Sequence, residues 1–373
     1  MATSHKTAAW PLALAYTGLI VYASLYPFDG WRTQGVDPLA FLFAPWPRYW
    51  TGFDVVANLL GYAPLGFLLA LARLRSGAAA LGAIAVASAA GALLSLAMEC
   101  LQIYLPQRVP SNVDWVLNLA GAAFGALTAA LLERLGALER WSRVRDAWFA
   151  TDARGALALL ALWPCALLFP AAVPLGLGQV FERVEEWFAQ ALTGTPFLEW
   201  LPVREVELQP LVPAAELLCV CLGALIPCLI GYCVIGSASK RTLFVALVLS
   251  AGIGASTLSA ALSYGPAAAY MWLTLPVQAG LALGAVLAAA LLRVPPRGAA
   301  VLALLALAIY LVLLNQAPTS AYFAQTLQTW EQGRFIRFHG VAQWLGWLWP
   351  YAALVYVMAR LSRRESSLEL RHD

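Results

Sequence analysis

Two short segments repeat the same arrangement of polar residues, each at the start of an apolar run. The residues that share the pattern Asp-x3-Asn-x2-Gly are Asp54, Asn58 and Gly61 in the first segment and Asp114, Asn118 and Gly121 in the second. An aspartate at a helix start can cap free N–H groups and meets the positive end of the helix dipole. The asparagine lies on the same helical face, about 6 Å deeper, where it can hydrogen bond to a neighbouring helix.

Glycines accompany both segments at the spacing of a helical face. A glycine on a helix surface lets a second backbone approach closely, which is a common way of packing helices inside a membrane. The predicted helix-packing positions are Gly61, Gly66, Gly121 and Gly125.

Further polar residues lie between the two segments. Glu99 and Gln102 share one helical stripe with Ser95, and Glu99 is about 30 Å along the axis from Ala78, near one edge of a membrane. Arg108 follows in a short connection, where it can pair with a carboxylate or hold a phosphate in a bidentate manner. We expect these groups to meet at headgroup depth. The predicted functional cluster consists of Asp54, Asn58, Glu99, Gln102, Arg108, Ser111, Asp114 and Asn118.

Three interpretations of this cluster are compatible with the residues. It can be a structural ion pair with helix caps, which sets the geometry of a loop. It can be a ligand-binding site. It can also be a catalytic site, with Glu99 or Asp114 as general base and Arg108 on a phosphate.

The composition restricts the class of protein. Hydrophobic residues make up 61% of the 373 residues and charged residues only 12%, whereas ordinary soluble domains have about 25% charged residues. One soluble core cannot hide so much apolar surface. The composition therefore excludes a soluble enzyme, a disordered chain and a protein that binds nucleic acid. It predicts an all-α, polytopic bundle of transmembrane helices.

Apolar runs predict ten membrane spans. The predicted spans are 10–27, 55–72, 78–100, 115–132, 155–175, 211–236, 242–263, 268–292, 299–316 and 341–360. With both termini in the cytoplasm, 16 basic residues fall on the inside and 7 on the outside, as the positive-inside rule requires. The chain is thus predicted to place Glu99, Arg108 and Asp114 at the outer face.

The predicted organisation is a four-span domain over 1–135, a basic cytoplasmic linker over 136–154 and a six-span block over 155–373. Within the block, 179–192 has the pattern of an amphipathic helix on the outer face, which would lie on the membrane or bind a partner. Arg334, Arg337 and His339 in the last outside loop are secondary candidates, either as interfacial anchors or as contacts for a lipid or sugar phosphate.

Spans six to nine, counted along the whole chain, hold almost no ionisable group, with Glu216 near the outer end of span six as the exception. A pump usually needs ionisable groups in mid-membrane. Pro227 and Pro276 can nevertheless break their helices, and broken helices are typical of transporter sites. Motifs for nucleotide binding and zinc hydrolysis are missing from the sequence, and the six cysteines are interpreted as packing residues. We therefore predict no cofactor and no metal.

The spaced polar residues resemble a known family. The series Glu99, Gln102, Arg108, Ser111, Asp114, Asn118 and Gly121 looks like the signature of the VanZ-like family of bacterial membrane proteins. Asp54-x3-Asn58-x2-Gly61, Pro64-x-Gly66 and Tyr26-Pro27 are also similar to that family. The resemblance covers about 10–132 and implies a membrane domain of four or five helices.

The family's namesake is associated with resistance to teicoplanin, and other members occur in envelope contexts. The resemblance therefore implies a multi-pass protein of the bacterial inner membrane that binds or processes a lipid-linked envelope component, or affects glycopeptide susceptibility. Its partner is then a membrane lipid or lipid-linked precursor. The alternative function is a transporter or flippase with its path in the C-terminal block. Whether a reaction is catalysed stays open.

Overall fold

The computed structural model describes residues 9–25, 28, 30–46, 52–106, 108–169, 171–200, 208–318 and 336–362. It does not describe the side chains of residues 53, 54, 138, 183, 186, 199 and 336–341. The described parts contain twelve α-helices. The chain divides into two compact units, Met1–Val144 and Arg145–Asp373.

Four long helices build the first unit. Their bounds are Ala9–Leu25 (α1), Gly52–Arg75 (α2), Ala80–Gln102 (α3) and Asn112–Arg134 (α4). A fifth helix, Ala137–Trp148 (α5), is amphipathic and corresponds to most of the predicted basic linker. The boundary between the two units falls within it. A segment that includes the short 3-10 helix Ala40–Phe43 joins α1 to α2.

Glycines bring α2 and α4 into direct backbone contact. A Cβ atom on Gly66 would lie 2.7 Å from the Cα of Ala122, and one on Gly125 would lie 2.7 Å from the carbonyl carbon of Ala63. Gly121 likewise leaves no room for a Cβ atom, because it faces the backbone of Leu59. Gly61 differs from the other three predicted positions, since nothing lies within 4 Å of where its Cβ would be.

Seven helices build the remainder of the second unit. They are Arg154–Ala166 (α6), Phe181–Ala191 (α7), Pro213–Tyr232 (α8), Ala238–Tyr264 (α9), Leu275–Ala290 (α10), Pro296–Leu314 (α11) and Ile336–Ser362 (α12). Helix α8 lies at the centre, and every residue from Cys219 to Tyr232 is buried. Helix α7 corresponds to the predicted amphipathic segment 179–192. Its exposed apolar side chains are Phe181, Val184, Trp187 and Phe188.

One buried arginine connects three helix ends of the second unit. Arg241, near the start of α9, is only 2% exposed. Its guanidinium donates to four backbone carbonyls, those of Tyr232 (2.8 Å), Ile235 (2.7 Å), Leu292 (2.8 Å) and Val294 (2.6 Å). The first two carbonyls lie at the C-terminal end of α8 and just after it, and the last two lie just after α10. Carbonyls at helix ends carry partial negative charge, so they can stabilise the buried cation.

A second arginine binds at the same end of α8. Arg360 donates to the carbonyl of Cys233 (2.7 Å) and to the Asp152 carboxylate (2.8 Å). The two guanidinium groups therefore face backbone carbonyl oxygens and one carboxylate at this point.

Six helices are long and apolar enough to cross a membrane in the part of the chain that the structure describes: α2, α3, α4, α8, α9 and α11. Each of the ten predicted spans coincides with a helix, but the count of ten is not supported. Helices α1, α6 and α10 are shorter than the six, and α12 is not among the six. Helix α6 ends at Ala166, whereas the predicted fifth span runs from 155 to 175. Pro164 lies near the end of this helix and Pro174 lies in the non-helical chain that follows. Helix α10 begins only at Leu275, after a 3-10 helix at Pro266–Ala268.

Large apolar side chains face outward from these helices. Leu81 and Leu93 on α3 and Leu127 and Leu131 on α4 are all more than half exposed. Helices that are apolar on several faces suit a lipid surrounding and not water. The fold is therefore that of a multi-pass helical membrane protein.

The glycine contacts predict a position-dependent effect of a single methyl group. Gly125→Ala should force α2 and α4 apart and lower the free energy of unfolding by about 1–3 kcal/mol. Gly61→Ala is the matched control, since its Cβ enters open space and alanine favours helix. Thermal unfolding of both variants in detergent measures the difference. Equal melting temperatures would contradict the close approach of the two helices.

The role of Arg241 predicts a strong loss of stability on its removal. Arg241→Met leaves four carbonyls without their donor, which should cost about 3 kcal/mol or more, since each buried unsatisfied group costs about 1–3 kcal/mol. Arg293→Met removes an exposed arginine from the same end of the unit and serves as control. Unfolding in increasing denaturant would compare the two, and similar midpoints would exclude the proposed role.

Candidate functional site

The connection between α3 and α4 folds back onto the end of α3 through a carboxylate. The backbone N–H of Ser111 donates to Oε2 of Glu99 at 2.9 Å. Ser111 also caps α4, because its side-chain oxygen accepts from the N–H of Asp114 at 3.3 Å. Glu99 is 5% exposed. The predicted residues Glu99, Ser111 and Asp114 are therefore neighbours at one end of the first unit.

A row of buried polar side chains leads inward from Glu99. Nδ2 of Asn118 donates to Oγ of Ser95 at 2.9 Å, which links α4 to α3. Tyr62 on α2 is buried against α3, within electrostatic reach of the Ser95 side chain and the Glu99 carboxylate. Three helices thus contribute to one polar row. The close glycine contacts between α2 and α4 lie in the same stretch of these two helices.

Asn118 has an unused acceptor in this row. It is 5% exposed, and its Oδ1 has no hydrogen-bond partner. A buried amide oxygen without a donor costs free energy, so such an atom needs an explanation. Asn118 lies about 10 Å along the axis from Ser111 by helix rise. It is therefore a buried acceptor that no described group of the protein satisfies.

The segment between α1 and α2 covers this end of the unit. The Arg32 N–H donates to the Tyr104 carbonyl at 2.9 Å, and Gln34 donates to the Ile103 carbonyl at 2.6 Å. Nδ2 of Asn112 donates to the Ala44 carbonyl at 2.7 Å. The polar row therefore lies beneath a cover of non-helical chain.

Helix α1 is tied to the same region by two hydrogen bonds. Gln102 donates to the Ser24 carbonyl at 3.0 Å, so this predicted site residue fixes the end of α1 against α3. The Tyr16 hydroxyl donates to the Gly61 carbonyl at 3.0 Å. Gly61 thus contributes an acceptor on α2, in addition to its predicted place on the helix face.

The other predicted residues are placed as follows. Arg108 lies half-buried in the α3–α4 connection, three residues before Ser111, and Asn58 is half-buried on α2. Asp54 is within α2, but its side chain lies outside the described residues, as do the side chains of Arg337 and His339. Arg334, Tyr26 and Pro27 also fall outside them.

Several residues of the site were not predicted. Tyr62 looks like an ordinary aromatic of an apolar span, and only its position one turn after Asn58 could have drawn attention. Asn112 and Gln34 lie in connections, where polar residues are expected in any case. Ser95 was visible as part of the stripe that leads to Glu99, and the structure buries it completely.

The arrangement suits recognition of a polar molecule by hydrogen bonds and charge. It offers a buried carboxylate, a buried amide acceptor and a guanidinium in the adjoining connection. Throughout the part of the chain that the structure describes, no three His, Cys, Asp or Glu side chains come together as metal ligands would.

Comparison with known proteins finds a family model that matches this region. Residues 8–133 match the model of the VanZ/LLP1 family. The match covers about a third of the chain and contains α1 to α4 with the whole polar row. No curated protein and no solved structure matches the chain. The resemblance to the VanZ-like family, drawn above from spaced polar residues, is therefore confirmed for residues 8–133 of this membrane protein.

Proposed function

We propose that the first unit binds the polar head of a phosphate-bearing amphiphile, such as a lipid-linked envelope component, at the outer face of the bacterial inner membrane. The observation that carries the proposal is the buried polar row at one end of the spanning helices. It combines Glu99 with an Asn118 oxygen that lacks a partner. Ionisable groups buried in membrane segments are costly and generally mark ligand or ion sites.

The chemistry of the row defines what the head must carry. Glu99 and Oδ1 of Asn118 are acceptors, so the molecule must supply donors such as hydroxyl or ammonium groups. Arg108 supplies a cation three residues before Ser111, and guanidinium is well suited to phosphate. A phosphate that carries a sugar or an amino alcohol meets both requirements.

The position of the row supports an amphiphile over a soluble molecule. Glu99 lies in the last turn of α3, and this helix has the length and composition to cross a membrane. The residues at its end are thus at headgroup depth. Outward-facing leucines on α3 and α4 leave a path of apolar surface beside the row, along which acyl or prenyl chains can lie.

Removal of Arg108 should release the bound molecule. In native mass spectrometry of gently extracted protein, Arg108→Ala should retain about tenfold less phosphate-bearing lipid, because a charge-assisted hydrogen bond is worth about 1.5–3 kcal/mol. The control is Arg32→Ala, which removes an exposed arginine whose backbone, and not its side chain, binds the α3–α4 connection. Equal lipid occupancy in both variants would refute the proposal.

In cells, the proposal extends to glycopeptide susceptibility. A host that expresses the chain should tolerate more teicoplanin, and Glu99→Gln should remove this effect at unchanged membrane level. The exposed Glu139→Gln variant is the control and should behave like the unaltered chain. Minimum inhibitory concentrations measure the outcome. If the unaltered chain leaves the concentration unchanged, the glycopeptide role is wrong, and mass spectrometry decides lipid binding separately.

A further inference from the structure

A cavity of about 510 Å³ lies within the second unit, in the size range of ligand sites. Its wall is formed by the chain after α6, the start of α8, the end of α9 and the chain before α10. The polar residues that line it include Glu216, Ser256, Ser259, Trp272 and Thr274. The site is separate from the polar row of the first unit, and nothing in the proposed function uses it.

The cavity exists because α6 stops short. Helix α6 has only 13 residues, and the chain continues from Ala171 to Val180 without helical structure. Val173, Leu175 and Leu177 in this stretch are nevertheless buried. Non-helical backbone inside a membrane protein is tolerated where it is covered by protein or lines a cavity, and such broken helices accompany binding sites.

Side chains from other helices hold the broken stretch in place. The Tyr310 hydroxyl donates to the Leu175 carbonyl at 2.7 Å and accepts from the N–H of Leu177. The Ser259 hydroxyl donates to the Leu168 carbonyl at 2.9 Å. Leu175 itself has φ of 58°, in the left-handed region that disfavours a branched side chain. Strain of this kind concentrates at functional sites. Specific hydrogen bonds therefore fix this wall of the cavity, which is not a packing defect.

Two polar groups give the cavity a chemical preference. Nε1 of Trp272 is buried and has no hydrogen-bond partner, so its N–H is an unsatisfied donor. Glu216, in the first turn of α8, supplies an acceptor with negative charge. The remaining wall is largely apolar, with Leu167, Phe169 and Met271 among its residues.

We propose that this cavity binds a zwitterion that carries an ammonium group beside an anionic oxygen, with the ammonium at Glu216 and the oxygen at the Trp272 indole N–H. Phosphoethanolamine has this combination, as the head of a phospholipid or as a free molecule. The apolar wall favours the lipid, because it offers contact to the first carbons of the acyl chains.

Binding of short-chain lipids to the purified full chain tests the proposal. Isothermal titration should give at least tenfold tighter binding of dihexanoyl phosphatidylethanolamine than of dihexanoyl phosphatidylglycerol. Glu216→Gln should remove this preference, because the neutral amide no longer attracts the ammonium group. Trp272→Phe should weaken binding of both lipids several-fold, because both share the phosphate that the indole N–H contacts.

Matched controls separate these effects from damage to the fold. Glu139→Gln and Trp141→Phe make the same chemical changes at exposed positions of α5 and should leave both affinities unaltered. Titrations in the Arg108→Ala background remove the contribution of the first unit, so the two proposals can fail independently. Equal affinity for the two lipids, or an unchanged preference in a folded Glu216→Gln variant, would overturn the proposal.

A competition experiment assigns the source of the zwitterion. If free phosphoethanolamine displaces the short-chain lipid at concentrations near those of the lipid, the head alone is recognised. If displacement needs a hundredfold excess or more, the acyl chains contribute and the lipid is the ligand.

Discussion

Backbone groups that leave a helix inside a membrane protein have no water to bind, and most of the non-helical chain described here is organised by that constraint. At three places where a helix ends, a side chain supplies hydrogen bonds to the backbone that follows. Glu99 accepts from the N–H of Ser111 at the end of the α3–α4 connection. Arg241 donates to carbonyls at and after the ends of α8 and α10, and Tyr310 binds both a carbonyl and an N–H after α6.

The same constraint explains why the two candidate sites differ. In the first unit, a tight pair of helices brings buried polar side chains into one row, and the glycines of α4 make this possible by removing side-chain bulk from the contact. In the second unit, the polar groups stand around an opening that a continued α6 would have filled. One site is created by close packing, the other by an interruption of packing.

Sequence patterns were sufficient for the elements and for part of the first site. Apolar runs located ten of the twelve described helices, because hydrophobic length is a strong signal. The spacing of Ser95, Glu99 and Gln102 identified a buried stripe, because small and polar residues on one face of an apolar helix have to face protein.

The features that the sequence patterns did not predict are helix breaks and hydrogen bonds between residues distant in sequence. The hydropathy window extended the fifth span through Pro174, because averaging over apolar residues does not register where a helix breaks. Hydrogen bonds such as Gln102 to Ser24, or Asn112 to Ala44, join residues more than sixty positions apart, and no local pattern encodes them. The role of Tyr62 became visible only through its neighbours on α3.

Arg241 also has a consequence for the biogenesis of the protein. Two of its four acceptors, on Leu292 and Val294, are synthesised about fifty residues after it. Until α10 has been inserted, the guanidinium lacks half of its partners and has to remain hydrated at the membrane surface. The corner formed by α8, α9 and α10 is therefore completed in a single late step. A ribosome stalled before residue 292 would carry α8 and α9 with only two of the four Arg241 hydrogen bonds able to form.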